Sequence, residues 1–183
     1  MSKPSLIILV LEDDTHKMLT YRYLINCGFR SHEIRALTSP SGRGSAEQWV
    51  RNRFTQEVRE YRRRHARAHT GLIVMLDADM FSVQERLNQL DQALEDSGDE
   101  PIDKDERVAR LIPKRNVETW ILCLEQTEVD EETDYTGTRS DWNELIPTAS
   151  KTLCAWARLQ HGPATHCVPS LSAGIQELIR LDA

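Results

Sequence analysis

Unbroken apolar runs alternate along this chain with stripes at helical spacing. The run LIILVL at 6–11 is continuous and rich in β-branched residues, the pattern of a strand covered on both faces. It ends abruptly in Glu12, Asp13 and Asp14. From Thr15 to Cys27, the residues Met18, Leu19, Leu24 and Ile25 fall near helical spacing and the pattern stops at Gly28, which predicts a helix. HEIRALTSP, 32–40, alternates weakly and predicts a second strand. A long helical pattern runs from Ser45 to His69, opened by a serine cap with Glu47 and Gln48 close behind. GLIVMLDADM, 71–80, is a third apolar run that again ends in acid. A polar helix over 83–97 and a turn-rich loop, GDEPIDKDE, follow. RVARLIP then predicts a fourth strand, and NVETWILCLEQ a short helix with Val117, Trp120, Ile121 and Leu124 on one side. That stripe makes Trp120 and Ile121 core residues rather than a base-stacking surface. Beyond Gln126 come an acidic loop, TEVDEETDYTG, and two helices near 140–160 and 170–181.

Strand and helix in alternation predict an α/β fold, a mostly parallel sheet flanked by helices on both faces with a small helical C-terminal part. The expected division is a core over 1–126, with the acidic loop and terminal helices of 127–183 packed on it. In such sheets ligands bind beyond the carboxyl ends of the strands. That rule gathers Glu12, Asp13, Asp14, Asp77, Asp79 and the stretch from Lys114 to Glu118 in one region.

Composition narrows the class. With 39% hydrophobic and 28% charged residues the chain has a globular profile. No apolar stretch approaches the roughly 20 residues needed to span a bilayer, and the N-terminal run leads into acid rather than a cleavage site, so no membrane association and a cytoplasmic location are expected. Cys27, Cys123, Cys154 and Cys167 are widely spaced and are expected as reduced thiols. Near the end, Cys154, His161, His166 and Cys167 match no zinc module. A net charge of −6 argues against general electrostatic nucleic-acid binding, although arginines crowd residues 51–67.

Asp14, at a helix start, is the expected cap. Capping accounts less well for Asp77 and Asp79, which would aim at the crevice that Glu12 enters. Like charges converging there cost several kcal/mol unless a cation or a shared proton neutralises them. Oxygen ligands favour Mg²⁺ or Mn²⁺ over zinc. The candidate ligands are Glu12, Asp13, Asp77, Asp79 and Glu118.

ILVLEDD and LIVMLDADM superficially resemble the acidic strands of receiver domains. The resemblance fails after Asp79, where MFSVQERL replaces the expected Pro and Gly turn, and the hydroxyl residue expected after the next strand is missing from IPKRN. All the acidic positions together resemble Toprim domains, in particular small Toprim-like nucleases related to the OLD (overcoming lysogenization defect) family. There a Glu closes the first strand and an Asp-x-Asp a later one, here Glu12 and Asp77-Ala78-Asp79; many members place Gly where this chain has Asp13. IPKRNVETW is similar to Pro-(Lys/Arg)-Asn-(Ile/Val)-Glu-x-Trp segments of small defence-associated nucleases. The resemblance implies a Mg²⁺- or Mn²⁺-dependent nuclease acting on DNA or RNA, in phage defence with an ABC-type ATPase partner. Glu12, Asp77, Asp79, Lys114 and Glu118 would be its catalytic residues. The alternative is a non-catalytic binding subunit.

Lys114 beside an acidic metal cluster suits a phosphoryl transition state; equally, Lys114 and Glu118, four apart, suit an ordinary ion pair. Arg59, Arg63 and Arg67 recur every fourth residue and, with Arg43 and Arg115, are the candidate phosphate contacts. The competing reading is a solvated face balanced by Glu57 and Glu60. SPSGRGSAEQW, ahead of a helix start, suits phosphate but lacks the Gly-Lys-(Ser/Thr) ending of a Walker loop.

Overall fold

The computed structural model describes residues 3–42, 44–65, 68–160 and 167–181. Its strands are β1 (Leu6–Leu11), β2 (Ile34–Thr38), β3 (Thr70–Met75) and β4 (Val108–Leu111). The helices are α1 (Asp14–Asn26), α2 (Ala46–His65), α3 (Val83–Asp96), α4 (Val117–Leu124), α5 (Trp142–Leu159) and α6 (Pro169–Ile179). All strand pairs are parallel, in the order β2-β1-β3-β4. The chain is therefore an α/β fold with a helical C-terminal part.

Alternation along the strands sends side chains to two helical layers. Ile7, Leu9, Leu11, Ile73 and Met75 join the core that includes residues of α1, α4, α5 and α6. Ile8, Val10, Leu72 and Val74 join Val50, Phe54 and Val58 of α2 and Leu90 and Leu94 of α3. Coverage on both faces explains why β1 and β3 are apolar at nearly every position. The terminal helices α5 and α6 share the first of these cores with the sheet, so they are continuous with it in packing.

Trp120 is fully buried at the centre of that core and donates from its indole nitrogen to Ser170 Oγ at 2.8 Å. This agrees with the core reading of its stripe. Gly174 of α6 lies against the indole, and a Cβ there would collide with the ring. Helix propensity alone favours alanine over glycine by about 1 kcal/mol, but overpacking costs about 1–3 kcal/mol. Gly174→Ala should therefore lower the urea midpoint. A raised midpoint would mean that α6 and α4 separate freely.

One expectation is corrected: Cys27 and Cys154 form a disulfide, with Cα atoms 5.8 Å apart. Cys27 is the C-cap of α1, and the packing of α1 on α5 brings it to Cys154 across a sequence separation of 127. Cys123 and Cys167 keep their thiols. No helix among the described residues is long and apolar enough to cross a membrane.

Candidate metal centre

From β1 the chain leaves through α1 to one neighbouring strand, β2, and then returns through α2 to the other, β3. This divergence opens a crevice beyond the carboxyl ends of β1 and β3. Glu12 directly follows β1, and Asp77 stands two residues past β3. The Asp77 backbone N–H donates to Glu12 Oε2 at 2.9 Å, which carries the strand pairing one step further through a side chain.

Asp13 is extended, with φ −148° and ψ −173°, and its Oδ1 accepts the His16 backbone N–H at 3.0 Å. Asp13 is thus the cap of α1, and Asp14 is the first helical residue, which corrects the expectation that Asp14 caps. The same Asp13 Oδ1 lies 2.8 Å from His16 Nδ1, and His16 Nε2 lies 3.0 Å from Asp77 Oδ1. His16 has no exposed surface. Glu12, His16 and Asp77 can each turn one ligand atom to a common point, those atoms all lying within 4.8 Å of one another. The donor set therefore contains a nitrogen, where only oxygens were expected.

Burial raises the Glu12 carboxyl to about 7; the Asp77 N–H opposes the rise, and the Asp77 and Asp79 charges add to it. Burial also raises Asp77, against the charge and hydrogen bond of His16. For His16, burial opposes ionisation, yet the Asp77 charge and the hydrogen bonds to Asp13 and Asp77 hold it well above its ordinary value. Burial likewise opposes ionisation of Asp13, but the His16 ring and backbone carry it down to about 2. Glu12 and Asp77 crowd their charge into little water, and a retained proton, the charged His16 ring or a bound cation each relieves it.

Glu118, in the first turn of α4, is buried, and burial and the Asp77 charge raise its carboxyl. Asn116 caps that helix through Thr119 N–H and also donates to Asp134 at 2.9 Å. Asp79 stands apart. Its φ is +54°, a left-handed conformation that Asp tolerates better than most residues, and its half-exposed carboxylate lies 3.4 Å from the buried Arg86 guanidinium.

The basic candidates are matched to the chain's own acids. Lys114 Nζ pairs with Glu132 at 3.5 Å, not with Glu118, and Arg115 with Asp134 at 3.6 Å, so the acidic loop lies against both. Arg59 pairs with Asp99 at 2.6 Å and donates to the Ser97 carbonyl. Arg63 pairs with Glu60 at 2.8 Å, and Arg53 with Glu57 at 2.6 Å. This geometry is the balanced arginine face rather than a free row. Arg43, Arg67, His161 and His166 lie outside the described residues.

A cleft of about 630 Å³ adjoins the cluster, with Glu12, Asp13 and Thr15 on one side and Ser39, Ser41 and Gly44, just ahead of α2, on the other. His16 is the site residue that sequence reasoning missed. Its signal was its place three residues after Asp13, the spacing that sets a side chain over its helix cap. No family model, curated protein or solved structure matches this chain.

Proposed function

We propose that this protein is a Mg²⁺- or Mn²⁺-dependent phosphodiesterase of the Toprim type, a nuclease acting on DNA or RNA. One observation carries the reading: Glu12 and Asp77, brought from adjacent strands to the switch point of the sheet, converge with His16 on a common point. A divalent ion bound there would supply Lewis-acid activation and neutralise charge on a phosphodiester. Glu12 and Asp77 hold the ion. Asp79 and Glu118 complete the catalytic set, Glu118 as the residue that exchanges a proton. Lys114 and Arg115 meet the substrate's phosphates by exchanging the acidic loop for nucleic acid. The resemblance drawn from sequence adds a separately encoded ABC-type ATPase as partner and phage defence as setting.

The test is cleavage of plasmid DNA, single-stranded DNA and total tRNA with Mg²⁺ or Mn²⁺, beside Glu12→Ala, Asp77→Ala and Asp79→Ala. The expected result is a metal-dependent activity that falls to background in the first two variants. Activity that survives both would refute the assignment of the site. A second reading, a non-catalytic binding subunit, is favoured by the pairing of Lys114, Arg115, Arg59 and Arg63 with acids of the same chain. Absence of cleavage with and without the partner ATPase would select it.

A further inference from the structure

His16 lies in the first turn of α1, wholly buried, with each ring nitrogen facing a carboxylate. We infer that His16 is a ligand of the metal centre through Nε2 and that Asp13 is the residue that aims it. The inference rests on the metal-dependent reading above, in which Glu12 and Asp77 hold the ion, and adds a direct bond from His16 and the role of Asp13 behind it.

Asp13 Oδ1 is fixed by the backbone it caps, accepting the His16 N–H at 3.0 Å, and the same oxygen lies 2.8 Å from Nδ1. A carboxylate can only accept, so Nδ1 carries a hydrogen. In the neutral ring the lone pair then belongs to Nε2, which points to Asp77 and the cluster. A carboxylate behind a histidine that faces a metal is the arrangement that fixes tautomer and ring orientation. The spacing agrees. Nε2 and Asp77 Oδ1 are 3.0 Å apart, and two ligands at right angles around an ion, with bonds of about 2.1 Å, stand about 3 Å apart. The ion would replace the shared proton from one side of the line between the two atoms, after a modest turn of the ring or the carboxylate. Glu12 closes the set from the end of β1.

A nitrogen donor moves preference from Mg²⁺ toward Mn²⁺, because imidazole suits transition ions better than it suits the harder Mg²⁺. If His16 were only an internal ion-pair partner of Asp77 and Asp13, it would hold α1 to β3 and leave any bound ion in an all-oxygen shell.

The deciding measurement is pulsed electron paramagnetic resonance of Mn²⁺ added to the full chain, with unlabelled and ¹⁵N-histidine-labelled protein. The expected spectrum shows modulation from one coordinated nitrogen, which changes to the ¹⁵N pattern on labelling and is absent in His16→Gln. Should His16→Gln fail to fold, labelled protein in which the other five histidines are replaced decides the matter, since the ¹⁵N pattern then persists only if His16 is the ligand. Asp13→Ser retains a good capping residue but cannot keep the contact with the ring. It should weaken Mn²⁺ binding about 10–100-fold, and His16→Gln should narrow the preference for Mn²⁺ over Mg²⁺. Bound Mn²⁺ without nitrogen modulation overturns the role of His16 while leaving the metal-dependent reading standing. Failure of the parent protein to bind Mn²⁺ overturns both. Unchanged affinity in Asp13→Ser overturns the aiming role.

Discussion

Metal-free Glu12→Gln should be more stable than the parent protein at pH 8, by about 3 kcal/mol, and the gap should close toward pH 4. Glu12 ionises near 4.5 in an unfolded chain and at about 7 in the folded one. Between those values the folded state holds a proton that the unfolded state has lost. Stability must therefore fall as pH rises through that window, at about 1.4 kcal/mol per pH unit. Glutamine cannot ionise, so it escapes this loss, and its side-chain oxygen can still accept the Asp77 N–H. His16 acts in the same direction: its contribution is present below its ordinary value and is lost as pH rises through the raised folded one. The His16 charge also acts on Glu12, so the difference between the two proteins reports Glu12 together with its coupling to His16. Urea unfolding in EDTA at several pH values measures it, and parallel curves for the two proteins would refute the strained carboxylate. A gain in stability coupled to loss of metal binding is the signature of a site that costs its fold something.

Trp120→Ala should be the most damaging single change, losing about 3–5 kcal/mol. A domain of this kind has about 5–15 kcal/mol in all. The indole is enclosed by α4, α6 and the sheet, and it hydrogen-bonds Ser170 Oγ, the same oxygen that accepts the Lys114 N–H at 3.3 Å. Its removal leaves a cavity and also loosens the turn from Lys114 to Glu118. Trp120→Phe fills most of the volume but leaves Ser170 without its indole donor, and about 1–3 kcal/mol is the expected cost. Denaturant midpoints measure both variants. A loss in Trp120→Ala no larger than that in Trp120→Phe would mean that packing at this position contributes little.

Local signals carried most of the architecture. β1 and β3 announced themselves as unbroken apolar runs because helices cover both faces, and α4 showed its buried stripe through Val117, Trp120, Ile121 and Leu124. Glu12 and Asp77 were legible for the same reason, since they come at the carboxyl ends of buried strands, whereas Asp14 and Asp79, equally close in sequence, turn to solvent. Roles within the acidic triplet were harder to assign. Asp13 and Asp14 are chemically identical neighbours, and only the extended backbone at Asp13 makes it the cap. His16 stayed hidden because a lone histidine in a helix carries no periodic signal; its meaning comes from Asp77, 61 residues away. The same distance problem hid the Cys27–Cys154 bridge, since pairing cannot be deduced from spacing alone. The balance of α2 by Glu57 and Glu60 was legible as one of two readings, whereas the partner of Arg59 was not, because Asp99 lies 40 residues away in the loop after α3.

The bond from the Asp77 N–H to Glu12 Oε2 has a kinetic meaning. It continues a parallel ladder in which Leu11 is already paired with Met75, so it closes only when β1 and β3 have met in register. A slip of one residue would turn the side chains of β3 to the opposite face and carry Asp77 away from His16. Parallel pairing between segments so far apart in the chain is slow, because loop closure must come before any reward from contacts. Assembly of the candidate site therefore waits on this pairing, because Glu12 meets Asp77 only when the two central strands are correctly aligned.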